Sequence, residues 1–379
     1  MSFRYVILGA GRQGLAAAYD LGRFGEADSV AWGSGITRPC RRYGGAETPP
    51  YNGVMDTRLV PAAGTILEEI LDGTYPLWNE GLSRENYAQF NAAQLKTRWA
   101  ATHLERVALV SSDGRLLSTA KRYDLRGRLD GHPVRVFGIG AVFTPPARRR
   151  CGFAADLIER LLETAAGEAF DFALLFSAIG PDYYQRFGFE TIPVEQVSIK
   201  VHPKAGSPAV PVRAGDDDDV RFLVEMHEAR AATAGWRFAL DRDADFVRYS
   251  IARKRLLSGF GPPGLRHLDY FVVDEGERPA AYVVLLRSAG VHMLCECGDR
   301  DPAGARVGAL LQALAARAPA DHPHPVRAWL PPGFRPPQVD LLQIDPPAVT
   351  MMMRPLRPDA RVAPPLNEDD VMYWLGDVV

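Results

Sequence analysis

Apolar and polar positions along this chain recur with two periods, and from about residue 57 they predict strands and helices in a fixed order. Met55-Asp-Thr-Arg-Leu-Val-Pro61 reads as a first strand. Thr65 to Leu71 and Ser83 to Trp99 read as helices, the second with Ser83 as N-cap and Tyr87, Phe90, Leu95 and Trp99 as its apolar positions. Tyr75-Pro-Leu-Trp-Asn-Glu-Gly81 joins them. Val107 to Ser111 and Leu116 to Tyr123 alternate about Asp113-Gly114, which predicts a hairpin. Val134 to Phe143 is the next strand, and its Gly138 and Gly140 suggest a bulge or a close backbone approach. A helix from Ala155 to Ala165 and a buried strand from Phe172 to Ser177 follow.

After a Pro- and Gly-containing stretch from Val201 to Gly215, the run Asp216 to Asp219 reads as the negatively charged N-terminus of a helix. Helices at Val220 to Ala234 and Asp245 to Leu257, a hairpin from Leu268 to Leu286, a strand from Val291 to Cys297 and a helix from Ala305 to Ala318 complete the pattern. That order repeats the first half's hairpin, strand, turn and helix, so a duplication is expected.

The most informative segment is Phe143-Thr-Pro-Pro-Ala-Arg-Arg-Arg-Cys-Gly-Phe-Ala154. A strand breaks into a turn rich in arginine and enters a helix directly, so free backbone N–H groups and the positive helix end converge where an anion is expected. Gly152 lets the backbone approach phosphate closely, Ala154 keeps the approach clear, and Arg149 adds charge. The corresponding turn of the second half, Gly298-Asp-Arg-Asp-Pro-Ala-Gly304, is acidic and is expected to bind no phosphate.

Through Arg149, Gly152 and Ala154 the first turn resembles the pyrophosphate signature of GNAT superfamily N-acetyltransferases. Phe172 to Ser177 followed by Ile-Gly-Pro-Asp-Tyr-Tyr-Gln-Arg-Phe-Gly-Phe189 resembles the second signature of that superfamily, in the same order. The resemblance implies a mixed α/β (α+β) fold of the acyl-CoA N-acyltransferase type, followed by a second, degenerate GNAT-like domain. It implies acetyl-CoA as acyl donor, held by Val142, Phe143, Thr144, Arg149, Arg150, Cys151, Gly152, Phe153 and Ala154. It places Tyr184 as the general acid, with Tyr183 packing beside it, and makes Trp78 and Glu80 contacts of the acceptor. Many relatives carry a Glu base on the strand before the phosphate turn, but Val134 to Thr144 holds no Asp or Glu. The base stays open between Glu80, Asp124, a water chain and the terminal carboxylate of Val379.

Trp78-Asn-Glu-Gly-Leu-Ser83, Phe176-Ser-Ala-Ile-Gly-Pro-Asp-Tyr-Tyr184 and Tyr373-Trp-Leu-Gly-Asp377 resemble the two-domain fungal lysine N-acetyltransferases, which suggests a small primary amine such as lysine as acceptor. Aminoglycoside-acetylating enhanced-intracellular-survival proteins share duplicated GNAT-like units but carry a further domain.

The first residues follow another pattern. Phe3-Arg-Tyr-Val-Ile-Leu-Gly-Ala-Gly-Arg-Gln-Gly-Leu15 places Gly9, Gly11 and Gly14 in a dinucleotide fingerprint and resembles the opening of saccharopine dehydrogenase-type oxidoreductases. The acidic ribose contact expected near twenty residues on is missing. NAD is therefore not expected, and the segment reads as a truncated Rossmann-like remnant or a reading-frame fusion, with Met55 as an alternative start. The expected division is a dinucleotide-binding-like piece at 1–32, an irregular linker at 33–56, the catalytic domain at 57–205 and the degenerate domain at 206–379. The rival functions are an NAD(P)-dependent oxidoreductase of lysine metabolism and a non-catalytic acyl-CoA-binding module.

Composition narrows partners more than it narrows fold. A chain of 379 residues with net charge -2 and no lysine-rich run offers no surface for nucleic acid. Cys40, Cys151, Cys295 and Cys297 fit neither a disulfide framework nor a zinc pattern, so no metal and a reducing cytoplasm are expected. Cys295 and Cys297 are expected on one face of their strand. No apolar run approaches a membrane span. The sequence leaves oligomeric state open.

Overall fold

The computed structural model describes residues 56–202, 210–288, 291–316, 325–331, 333–345, 349–360, 362–372 and 374–377. Gly9, Gly11 and Gly14, with the expected dinucleotide-type segment, lie outside the described residues, as do Cys40, Tyr373 and Val379.

The first half runs β1 (Thr57–Pro61), α1 (Gly64–Trp78), α2 (Arg84–Gln94), α3 (Ala100–His103), β2 (Leu104–Ser111), β3 (Leu116–Leu129), β4 (His132–Phe143), α4 (Phe153–Gly167), β5 (Phe172–Ser177), α5 (Asp182–Gln185) and β6 (Glu190–Thr191). The second runs β7 (Gln196–Val201), β8 (Val212–Ala214), α6 (Val220–Ala234), β9 (Phe238–Leu240), α7 (Ala244–Gly259), β10 (Arg266–Glu275), β11 (Arg278–Ser288), β12 (Val291–Asp299), α8 (Ala305–Ala315), β13 (Val326–Ala328), β14 (Val339–Asp345), β15 (Thr350–Pro355) and β16 (Val371–Met372).

Two mixed sheets result. One has nine strands in the order β1-β2-β3-β4-β5-β15-β6, with β9 on the far end of β3 and β16 on β9. The other has seven, in the order β14-β7-β13-β12-β11-β10-β8. The expected repeat is visible: β3-β4-α4-β5 and β11-β12-α8-β13 each pair an antiparallel hairpin with a parallel strand reached through a helix. The halves also exchange strands. β7, which precedes the expected boundary at 205/206, pairs with β13 and β14, while β15 returns from the second half to lie against β5. Position 205/206 falls between β7 and β8, and both belong to the second sheet.

Helix α4 forms because Phe153, Leu157, Ile158, Leu161, Leu162 and Ala165 recur on one stripe, which buries against Val107, Leu109, Phe137, Ile139, Ala173 and Leu175. Each large side chain buried there contributes roughly 1.5–3 kcal/mol. The opposite face of the sheet lies under α2 and α7. There Trp99 packs against the rings of Phe246 and Tyr249, with centroids 4.9 and 4.8 Å away. The turn Leu375–Asp377 is fixed below α7 by a buried triad in which Arg242 donates to both Glu296 and Asp377. Lys254 Nζ adds a bond of 3.1 Å to the Gly376 carbonyl.

Several bounds differ from the sequence pattern for local reasons. Helix α1 runs through the expected joint to Trp78, with Pro76 inside its last turn. Asn79 then ends it by donating to the Tyr75 carbonyl at 2.9 Å and accepting from Gly81 N at 2.8 Å. Ser83 does cap α2, accepting from Asn86 N at 3.1 Å. That helix stops at Gln94, short of Trp99, because the Thr97 hydroxyl takes the Gln94 carbonyl at 2.8 Å. Asp130-Gly131, both at positive φ, closes a longer β3–β4 hairpin than the alternation suggests. Cys295 and Cys297 do not share a face. A bulge opposite Val284 and Leu285 turns Cys295 toward α6 and α7, while Cys297 joins the cluster that includes α8.

Candidate active site

Strand β4 pairs with β5 from Val136 opposite Phe172 as far as Ile139 opposite Leu175. Beyond that point the two strands part. On the other edge of β4 the register with β3 slips between Gly140 and Phe143, and Ala141 takes φ 49. The bulge therefore sits one residue after Gly140. Gly138 answers a close approach instead: a Cβ there would lie 3.0 Å from Tyr123 Cβ. The parting and the bulge leave a wedge in the sheet at Val142 and Phe143.

The arginine turn closes the wide end of the wedge. Thr144 anchors it, with its hydroxyl 3.1 Å from Ser118 Oγ and its carbonyl accepting Arg149 Nε at 3.1 Å. Arg150 takes φ 64 and Gly152 takes φ 81 as the N-cap of α4. The first intrahelical bond of α4 is from Asp156 N to Gly152 O, at 2.9 Å, so the N–H groups of Phe153, Ala154 and Ala155 have no partner within the helix. Cys151 and Gly152 are exposed, and a Cβ on Gly152 would meet nothing within 4 Å. Open space thus faces the N-terminus of α4.

Tyr184 lies on α5, just past the end of β5, and is only 9% exposed. Its ring meets Tyr183 and Phe189 edge-on, with centroids 5.1 and 6.2 Å away. Burial, reinforced by Tyr183, raises the phenol pKa above its ordinary value and keeps the hydroxyl protonated. Tyr183 is partly buried under the Arg186 guanidinium.

The second half repeats this architecture with the cradle filled. Gly304 caps α8 at φ 76 as Gly152 caps α4, but a Cβ there would stand 2.4 Å from the Phe334 ring. Asp299 supplies the anion from within the chain. Its carboxylate accepts from Arg306 N at 2.8 Å and Val307 N at 3.2 Å, and pairs with the Arg306 side chain. The helix end that faces open space in one half is neutralised in the other.

Comparison with known proteins bears on this geometry. Residues 65–192 match the family model described as the acetyltransferase (GNAT) domain. The chain carries a GNAT acetyltransferase domain. That domain is the domain of N-acetyltransferases. A GCN5-related N-acetyltransferase from Kribbella flavida superposes with a TM-score of 0.58 at 20% identity, over 81% of this chain and 72% of that one. A probable N-acyltransferase from Enterococcus faecalis V583 gives 0.57 at 15% identity, over 80% and 73%. Saccharomyces cerevisiae N-myristoyltransferase with bound myristoyl-CoA gives 0.50 at 10% identity, over 91% and 93%. These likenesses extend the shared fold into the second half of the chain. A search of curated proteins returns no match in sequence.

Within the GNAT domain the residues expected at the acceptor side divide. Trp78 stands edge-on to Phe143, with centroids 6.3 Å apart, and so borders the wedge. Glu80 takes φ 53 and is tied to the second half, its carboxylate and its carbonyl each receiving an Arg266 nitrogen at 2.6 Å. Asp124 is one residue from Tyr123 on β3 and therefore points to the opposite face, where it pairs with Arg135 at 3.0 Å. The face under α2 and α7 instead presents Arg106, Lys121 and Tyr123. In the sequence these look like the solvent-facing half of an alternating hairpin, because α7, one of the two helices that cover them, lies more than a hundred residues downstream.

Proposed function

We propose that the chain transfers the acetyl group of acetyl-CoA to the primary amine of a small molecule by direct attack, with free lysine the first acceptor to try. The observation that carries this reading is the convergence of the β4–β5 wedge, the open N-terminus of α4 and the buried Tyr184 at the C-terminal ends of β4 and β5 in the first sheet. In this reading the free backbone of Val142, Phe143 and Thr144 aligns the pantetheine arm as a strand partner would. The turn from Arg149 to Ala154, with Arg150, Cys151, Gly152 and Phe153, receives the pyrophosphate on N–H groups and arginine charge. The amine nitrogen attacks the thioester carbonyl, the C–S bond breaks as the tetrahedral intermediate collapses, and Tyr184 delivers its proton to the leaving thiolate. The proton lost by the amine leaves through water. Trp78 walls the acceptor, Glu80 braces the same corner through Arg266, and the second unit encloses the site without binding CoA itself.

Thiol release from acetyl-CoA, measured over a panel of primary amines that includes lysine, tests this. CoA release that depends on an amine is the expected result. Acetyl-CoA binding by calorimetry with no turnover on any amine would leave an acyl-CoA-binding module, and absence of binding would remove the reading altogether.

A further inference from the structure

We propose that the acceptor carries a carboxylate beside its reacting amine, and that Arg106 on β2 and Lys121 on β3 receive it on the sheet face covered by α2 and α7. The inference rests on the transferase reading above and names its substrate class. Register places Arg106 opposite Lys121 and Lys121 opposite Gly140, one row across three strands that ends a residue before the β4 bulge. The row therefore leads from the covered interior to the wedge proposed for the thioester.

The charges in this row are not balanced from within. Arg106 is 8% exposed, and among the described residues its Nη2 reaches only Asn91 Oδ1 at 3.4 Å and its Nη1 is buried with no hydrogen-bond partner. The Lys121 side chain makes no hydrogen bond or ion pair among the described residues. Facing them are Tyr87 from α2, Tyr123 from β3, and Tyr249 and Arg253 from α7. Among the described residues the nearby carboxylates pair with other cations: Glu296 and Asp377 each give one oxygen to Arg242, their second oxygens being buried without a hydrogen bond, and Asp245 pairs with Arg98 and Arg248. A small cleft lined by Tyr123, Phe246, Tyr249, Arg253 and the Gly376–Asp377 turn opens beside the row.

A guanidinium kept dry without a counter-ion is costly unless an anion arrives. Burial, with Arg106 and Arg253 nearby, also holds the Lys121 ammonium well below its ordinary pKa, a strain that an incoming carboxylate would relieve. The same positive surroundings favour the uncharged, nucleophilic form of an amine placed near them. An acid group on the acceptor would thus orient the molecule while the site keeps its amine ready to attack.

The test compares an amino acid with its own amide, lysine against lysinamide, on the full chain. A KM at least tenfold lower for the acid is expected, and Arg106→Gln should erase that preference while acetyl-CoA affinity stays unchanged. Equal KM values in the unaltered protein, or a preference that survives Arg106→Gln, would overturn the proposal. A readout without turnover guards against a poorly folded variant: the acetylated acid should raise the melting temperature of the unaltered protein and its amide should not. Equal shifts from both would also overturn it. Repeating the KM comparison with a glycine added after Val379 separates the sources of the acid. An unchanged preference assigns the carboxylate to the acceptor, whereas a preference that appears only with the extension assigns it to the chain itself and overturns the proposal. Loss of acetyl-CoA binding would sink the transferase reading, whereas intact acetyl-CoA binding with no acid preference would sink this inference alone.

Discussion

Gly152 combines a left-handed φ of 81 with empty space where a side chain would stand. Gly152→Val fills that space and strains the turn. Acetyl-CoA affinity measured by calorimetry on the folded variant should fall at least tenfold, whereas Arg149→Ala, which leaves the N–H cradle in place, should cost less. Tyr184→Phe asks a different question, since it keeps the ring among Tyr183 and Phe189 and removes only the hydroxyl. General acid catalysis contributes about a hundredfold to ten-thousandfold. The turnover number should therefore drop by at least tens of times with acetyl-CoA affinity little changed, and a near-normal rate would remove Tyr184 from the chemistry. The places of Gly152 at the start of α4 and of Tyr184 just past β5 were readable from sequence because each lies in a short local pattern. The covering of Arg106 and Lys121 was not, because alternation says which residues share a face but not what later covers that face.

Among the elements, α4 and α8 show how one architecture serves two ends. The same glycine cap starts both, and Asp299 alone supplies the charge that closes the second. The acidic character of that turn was legible in the sequence, whereas the exact stops of α1 and α2 depended on the Asn79 and Thr97 side chains, which periodicity does not register. Helix α6 makes a prediction of its own. Burial, with Arg242 and Arg230 nearby, pushes the His227 pKa down to about 3 from an ordinary 6.5. Between those values the unfolded chain binds a proton that the folded chain refuses, so stability is unaffected above pH 6.5 and is lost as pH falls below it. Denaturant unfolding at pH 7.5 and pH 5 should show this loss, and His227→Gln should make the two midpoints more nearly equal.

For the whole molecule, duplication was legible as a repeated order of elements, but the exchange of β7 and β15 was not, since strands of either sheet have the same alternating pattern. Residues 56–205 made alone would leave β5 without the partner that β15 supplies from Thr350 opposite Ser177 to Pro355 opposite Phe172. That fragment should show neither a cooperative unfolding transition nor native-like circular dichroism, while the full chain shows both.

The exchange also sets an order of events at the ribosome. The wedge, the arginine turn and Tyr184 are all translated by residue 189, yet the strand that completes their sheet emerges more than 150 residues later, as does Asp377, through which Arg242 fixes the turn Leu375–Asp377. Until then the nascent chain holds a finished glycine turn on an unfinished sheet with an open edge beside β5. Catalytic competence should therefore appear late and abruptly during synthesis, and chains that stall before residue 350 should be substrates for chaperones and proteases rather than partially active enzymes.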